Sequence, residues 1–226
     1  MIIVGFSGPI GSGKTTAASM LVRELGNMGF DARRHSFAHL LKIITNIVGD
    51  TEISEGEKLR TVLPLFLTQP VLQDPGYETR VVAAVHQMID YGHQFPNDGQ
   101  KKNRRLMQLV GTECGRNMIS ENIWIDLVRN DINRSQSDRR MAFVFDDVRF
   151  DNEAAILKYH IHIRIVNHEK YMDRVSSFDK GYVHMNHASE QSLTRTPNAY
   201  LDNEFTQKDI SFLADTVITS SNIFMV

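Results

Sequence analysis

The sequence predicts an α/β fold, a five-stranded parallel sheet flanked by helices, with an inserted helical subdomain and a short lid. Three observations predict it. The apolar run Met1 to Phe6 passes into glycine-rich sequence and then into apolar residues at helical spacing. Apolar strand patterns return at Met141 to Phe145 and Ile161 to Ile165 with helical sequence between them, and strands separated by helices imply a parallel sheet. From Asp50 to about Ile132 no strand pattern occurs, so this middle reads as a helical insertion rather than an independent unit.

Taken in order, Met1 to Phe6 is a buried strand. Ala17, Ala18, Leu21, Val22 and Leu25 mark the following helix, closed by Gly26 and Gly29. Arg33 to Phe37 is a second strand, feeding a helix with Leu40, Leu41, Ile44, Ile47 and Val48 on one side. In the insertion, Ser54 and Glu57 suit a capping box, and Val81, Val82, Val85, Met88 and Ile89 mark a helix stopped near Gly92. Met141 to Phe145 is the third strand, and a helix follows over Asn152 to Tyr159, with Asp151 as its cap. Ile161, Ile163 and Ile165 alternate with His162 and Arg164 as the fourth strand, and Thr216 to Thr219 offers the fifth. The resulting single domain has a core of about 1–50 and 117–226, an insertion of about 51–116 and a lid of about 167–188.

Composition narrows the function. The 226 residues are 42% hydrophobic and 23% charged, enough for a real core and too apolar for disorder. Against 27 acidic residues, 25 Lys and Arg leave a net charge of −2, so no global field draws the chain onto a nucleic-acid polymer or an anionic membrane. Any anion must be held by a local site. One cysteine, Cys114, permits no internal disulfide, and with no signal peptide or long apolar run the expected compartment is the cytoplasm.

Such a local site is legible at Gly8-Pro9-Ile10-Gly11-Ser12-Gly13-Lys14-Thr15, a phosphate-loop pattern between a predicted strand and a predicted helix. In that context backbone N–H groups of Gly11, Ser12, Gly13, Lys14, Thr15 and Thr16 can surround phosphate oxygens at a helix N-terminus. Lys14 reaches the β and γ phosphates, and the Thr15 hydroxyl ligates Mg²⁺. The chain has neither an Asn-Lys-x-Asp motif nor an Asp-x-x-Gly after a strand, which argues against a GTPase switch, and 226 residues without repeats suit a small-molecule phosphotransferase better than a motor.

Asp146-Asp147-Val148-Arg149 follows the third strand, at the carboxyl edge where open α/β sheets bind ligands. One of the acids, Asp147, is the candidate second Mg²⁺ ligand, and Arg149 can pair with a phosphate bidentately. On a predicted helix, Arg104 and Gln108 share a face. The Gln108 amide donates and accepts at once, which suits a nucleobase edge, while Arg105 or Arg116 can hold an acceptor phosphate.

These segments together resemble the bacteriophage-type deoxynucleoside monophosphate kinases, a branch of the phosphate-loop nucleoside monophosphate kinase fold. The resemblance rests on the phosphate loop; on Phe37-Ala38 with Lys42; and on Arg104-Arg105-Leu106-Met107-Gln108-Leu109-Val110-Gly111-Thr112-Glu113 with Arg116 and Trp124. It continues through Asp147-Val148-Arg149-Phe150-Asp151-Asn152-Glu153 and His187-Ala188-Ser189-Glu190. It implies an acceptor site using Lys42, Arg104, Arg105, Gln108, Thr112, Arg116 and Glu190, and a catalytic set of Lys14, Asp147, Arg149 and a lid arginine, which falls to Arg174 in the segment Asn167 to Arg174. It further implies ATP and Mg²⁺ as cofactors, a deoxynucleoside monophosphate as partner, the host cytoplasm for a phage protein, and room for a homodimer. Relatives wrap adenine with a loop after the fifth strand, here Ser220-Ser221-Asn222, so the closing helix is expected to be missing or short.

The expected reaction is dNMP + ATP giving dNDP + ADP. Two alternatives stand beside it: a related kinase with a non-nucleotide acceptor such as phosphomevalonate or dephospho-coenzyme A, and a nucleotide-binding regulatory protein without turnover.

Overall fold

β1 (Ile2–Ser7) is buried along its whole length, which its apolar sequence allows only in a sheet covered on both faces. The computed structural model describes residues 1–9, 11–67, 74–97, 103–135, 140–156, 161–166, 193–194 and 196–223. It divides into two units, Met1–Ser36 with Gln136–Val226, and Phe37–Ser135.

The first unit holds a five-stranded sheet in the order β2-β3-β1-β4-β5, all parallel, with β2 at Asp31–His35, β3 at Met141–Phe145, β4 at Ile161–Val166 and β5 at Ala199–Asp202. Ile2 pairs with Ala142 on one side of β1, and Gly5 with His162 on the other. α1 (Lys14–Asn27) and the last helix, α8 (Gln207–Ile223), cover one face, where Ala17, Leu21 and Leu25 meet Val4, Phe6, Val144 and Ile163. α7 spans Asp151–Ile156.

The fifth strand is therefore Ala199–Asp202 and not Thr216–Thr219, which lies inside α8. Ile210, Leu213, Ala214 and Val217 are all buried at intervals of three and four, and that period decides for a helix over a short β-branched run. The closing helix, expected to be missing or short, is present and 17 residues long.

The second unit is helical: α2 (His39–Gly49), α3 (Glu55–Leu67), α4 (Tyr77–Gln94), α5 (Arg104–Gln108), a π-helix over Leu109–Ile119, and α6 (Ile123–Arg134). Its core is separate from that of the sheet and gathers Ile44, Val48, Phe66, Val85, Met88, Val110 and Trp124. The Glu57 N–H reaches Ser54 Oγ at 3.4 Å, the first half of the expected capping box. Gly92 does not stop α4, which continues to Gln94. A Cβ on Gly92 would stand 2.0 Å from the Val48 carbonyl oxygen, so its role is to admit the end of α2. Lys58, 2% exposed, donates to that same carbonyl at 2.8 Å, placing a cation at the C-terminus of α2 where the helix dipole favours one.

Candidate active site

The chain leaves β1 at Ser7 and turns through Gly8, Gly11 and Gly13 at φ 140°, 77° and 90°, a path that L side chains resist. Two of these glycines are also needed for space. A Cβ on Gly8 would lie 2.6 Å from the Ile165 carbonyl oxygen, and one on Gly13 would lie 2.9 Å from Asn203 Oδ1 and 3.4 Å from Phe205 Cε1. The loop thus rests against β4 and against the segment that follows β5. That segment, Asn203 to Thr206, is the one in the position of an adenine-wrapping loop, and Ser220-Ser221-Asn222 is not, since those residues lie in α8.

Within the loop the Ser12 N–H donates to the Pro9 carbonyl at 3.2 Å. The Lys14 ammonium folds back onto the carbonyls of Gly8, 2.8 Å, and Pro9, 2.6 Å. Ser12 Oγ is buried and has no hydrogen-bond partner among the described residues. Thr15 and Thr16 open the 14-residue α1 and are exposed. A curled backbone at a helix N-terminus, a buried hydroxyl without a partner among the described residues and an ammonium held at the loop's own carbonyls suit a polyphosphate.

β3 lies beside β1, so the sheet order reverses between them and their carboxyl ends border the crevice where such folds take ligands. The Val148 N–H donates to the Phe6 carbonyl at 3.1 Å, tying the acidic segment to the end of β1. The two acids have different partners. Asp146 faces the Arg34 guanidinium at 3.8 Å, whereas Asp147 accepts from Ser36 Oγ at 2.5 Å. Oxygen-only donors such as Thr15 and Asp147 match Mg²⁺, which takes one or two protein ligands and completes its shell with phosphate and water. Among the described residues no group of three or more His, Cys, Asp or Glu could cage a metal by itself.

Glu153 holds the arginine segment. Buried at 3% exposure, its carboxylate accepts from the N–H groups of Arg149, 2.8 Å, and Phe150, 3.1 Å. Asp151, expected to cap α7, is the first residue of that helix and accepts from the Thr194 N–H at 2.8 Å. Reaching back from the third residue of the helix, Glu153 satisfies the N–H groups just before it, as a capping-box glutamate does.

In the second unit, Asn103 caps α5 by accepting from the Leu106 N–H at 3.0 Å, and its amide donates to the Phe95 carbonyl at 2.8 Å. Arg104 and Arg105 are exposed on α5, with Gln108 half-buried one turn on. The Arg105 guanidinium stacks 4.0 Å over the Phe95 ring, which fixes its direction. Thr112 and Arg116 are carried by the π-helix, and Arg116 Nη1 donates to the Glu121 carbonyl at 3.2 Å. Trp124 Nε1 donates to the Gly111 carbonyl at 2.8 Å, and a Cβ on Gly115 would lie 2.6 Å from the indole. Leu41 approaches Gly111 so closely that a Cβ there would meet it at 2.9 Å, which brings α2, with its exposed Lys42, beside the Gly111-Thr112 turn.

Arg174 and Glu190, with the rest of the expected lid, lie outside the described residues. Ser36, Asn203 and Phe205 are contacts that sequence reasoning missed, and no spacing signals them. Glu153 had a signal, a carboxylate three residues after Phe150 at a helix start. Burial pushes the Cys114 thiol up to about 12, with Glu113 adding to the effect, so at neutral pH it is an inert core residue.

The family model for deoxynucleotide monophosphate kinase matches residues 59–205. The deoxynucleoside-5′-monophosphate kinase of Escherichia phage T5 is 26% identical over 235 aligned residues, covering 92% of this chain and 90% of that protein. A solved chain, APE1195, covers 96% of this chain and 95% of its own at 14% identity and a TM-score of 0.29, a likeness too slight to bear weight.

Proposed function

The chain belongs to the deoxynucleotide monophosphate kinase family, and on that premise we propose that it transfers the γ-phosphoryl group of ATP to a deoxynucleoside 5′-monophosphate, giving ADP and the deoxynucleoside diphosphate. The observation that carries the donor half is the loop: three glycines at positive φ, a buried orphan hydroxyl and a lysine turned onto the loop's own carbonyls. In the proposed complex Lys14 exchanges those carbonyls for β- and γ-phosphate oxygens, and the N–H groups of Gly11 to Thr16 surround the triphosphate. Asn203 and Phe205, beside Gly13, border the donor. Mg²⁺, bound through Thr15 and Asp147, supplies charge neutralisation at the phosphates.

The acceptor is held by the second unit, with Gln108 reading the base edge and Arg104, Arg105, Thr112, Arg116 and Lys42 around the sugar and phosphate. The acceptor phosphate is itself the nucleophile and already ionised, so no general base is required. Catalysis is positioning plus neutralisation by Lys14, Arg149 and the lid residue Arg174, with Glu190 closing the acceptor side. The partners are free nucleotides in the host cytoplasm; no helix among the described residues is long and apolar enough to cross a membrane.

A coupled ADP-release assay against dNMPs, NMPs and phosphomevalonate tests the reading. Turnover on one or more dNMPs is expected, with Gln108→Leu raising their KM by about tenfold or more because a base edge loses its partner. Turnover on phosphomevalonate alone would overturn it. The metal role has its own test. Ser36→Ala removes one hydrogen bond that orients the Asp147 carboxylate, and Asp147→Asn removes its charge; each should raise the Mg²⁺ concentration for half-maximal ATP binding by roughly tenfold, read calorimetrically, and an unchanged Mg²⁺ dependence in Asp147→Asn removes Asp147 from the metal.

A further inference from the structure

The proposed mechanism makes no use of the buried imidazole of His162. On β4, His162 is 1% exposed, and its Nε2 lies 2.8 Å from Ser7 Oγ on β1, itself 0% exposed. His162 is directly across from Gly5, and Ser7 follows two residues later on the same face, so the imidazole reaches along a position that carries no side chain. Burying two polar side chains between strands costs desolvation, which the hydrogen bond between them helps to offset.

Ser7 is the last residue of β1 and precedes Gly8. Gly8 in turn lies so close to Ile165 of the same β4 that an added Cβ would stand 2.6 Å from the Ile165 carbonyl oxygen. β4 therefore grips two consecutive residues at the root of the loop, one by a side-chain hydrogen bond and one by backbone contact. The backbone of His162 is held twice by Asn198: its N–H donates to Asn198 Oδ1 at 2.8 Å, and its carbonyl accepts the Asn198 N–H at 2.8 Å. Asn198 opens β5, whose far end leads into the Asn203 and Phe205 contacts with Gly13. The root and the helix end of the loop are thus held through adjacent strands.

We propose that His162 is a positioning residue which, through Ser7, fixes the first turn of the phosphate loop in the geometry that receives the donor triphosphate. The inference rests on the reading of Gly8 to Thr15 as the ATP site. It acts on ground-state donor binding and not on the acceptor, because neither residue belongs to the helical unit. Misplacing the loop by a fraction of an ångström weakens several N–H contacts to phosphate together.

The experiment measures the ATP dissociation constant by calorimetry with Mg²⁺ present, and KM for both substrates, in the wild type, Ser7→Ala, His162→Leu, the double variant and His162→Gln. Ser7→Ala and His162→Leu should each weaken ATP binding by about tenfold and leave KM for the monophosphate unchanged. The double variant should be no worse than either single, since all three lose the same bond. His162→Gln, whose amide can again meet Ser7, should recover most of the affinity. Wild-type ATP affinity in both single variants, or losses that add in the double, would overturn the inference while leaving the ATP site in place. A wild type that binds no ATP would overturn the donor reading and the inference with it. Should His162→Leu fail to fold, Ser7→Ala alone decides, because it removes a single oxygen atom.

Discussion

Lys14→Ala is expected to lower kcat by about a thousandfold, the scale on which charge-stabilising groups act in phosphoryl transfer. The fold should survive, because the ammonium is bonded to the Gly8 and Pro9 carbonyls of a half-buried turn and belongs to neither apolar core. In the resting loop those carbonyls hold the ammonium where phosphate oxygens will later compete for it, so its side chain is already gathered at the site. The alanine variant should keep its circular dichroism spectrum and melting temperature while ADP release in the coupled assay falls to near background. Turnover within a few-fold of wild type would remove Lys14 from the reaction and, with it, the phosphate-loop mechanism.

The largest effect on stability is expected at Gly92. Gly92→Ala places a methyl group 2.0 Å from the Val48 carbonyl oxygen and 2.5 Å from its carbon, both backbone atoms that no rotamer change can move. α2 must shift, and with it the Lys58 hydrogen bond to the same carbonyl. Overpacking of this kind costs about 3 kcal/mol or more, and at roughly 2–4 °C per kcal/mol in a chain of this size the melting temperature should fall by about 10 °C. Thermal unfolding followed at 222 nm checks it; an unchanged midpoint would mean that α2 and α4 can separate without loss. The sequence alone assigns this glycine to the end of a helix, since a helix-ending glycine and a glycine under a crossing backbone look the same in one dimension.

The same limitation explains what else was and was not legible. β1, β3 and β4 are apolar or alternating runs with clear ends, and each lies where its pattern predicts. β5 is four residues long at a sheet edge, with Tyr200 and Asp202 exposed, so it has no apolar run to announce it. The β-branched stretch near Thr216 does look like a strand, and only the burial of Ile210, Leu213, Ala214 and Val217 on one side returns it to a helix. The phosphate loop is readable because its glycines answer a local demand for positive φ. The π-helix is not, because its extra residue per turn leaves no distinct apolar period in the sequence, and the Trp124 hydrogen bond to its Gly111 carbonyl comes from the next helix. Hydrogen bonds between distant residues, such as Ser36 to Asp147, leave no periodic trace.

The strand order constrains how the chain can be built as it leaves the ribosome. β1 and β2 precede β3 in the chain yet do not pair with each other, because β3, more than a hundred residues after β2, is the strand between them. No strand pair of this sheet can form until Met141–Phe145 has been synthesised, whereas Phe37–Ser135 is one uninterrupted stretch with its own core. Contacts this distant along the chain carry a loop-closure cost and slow folding. The helical segment is therefore free to condense first during synthesis, and the phosphate loop, translated ahead of it, gains its supports at Ile165, Asn203 and Phe205 only after it. A nascent chain halted before β4 would carry the whole nucleotide-binding motif and lack the supports that shape it.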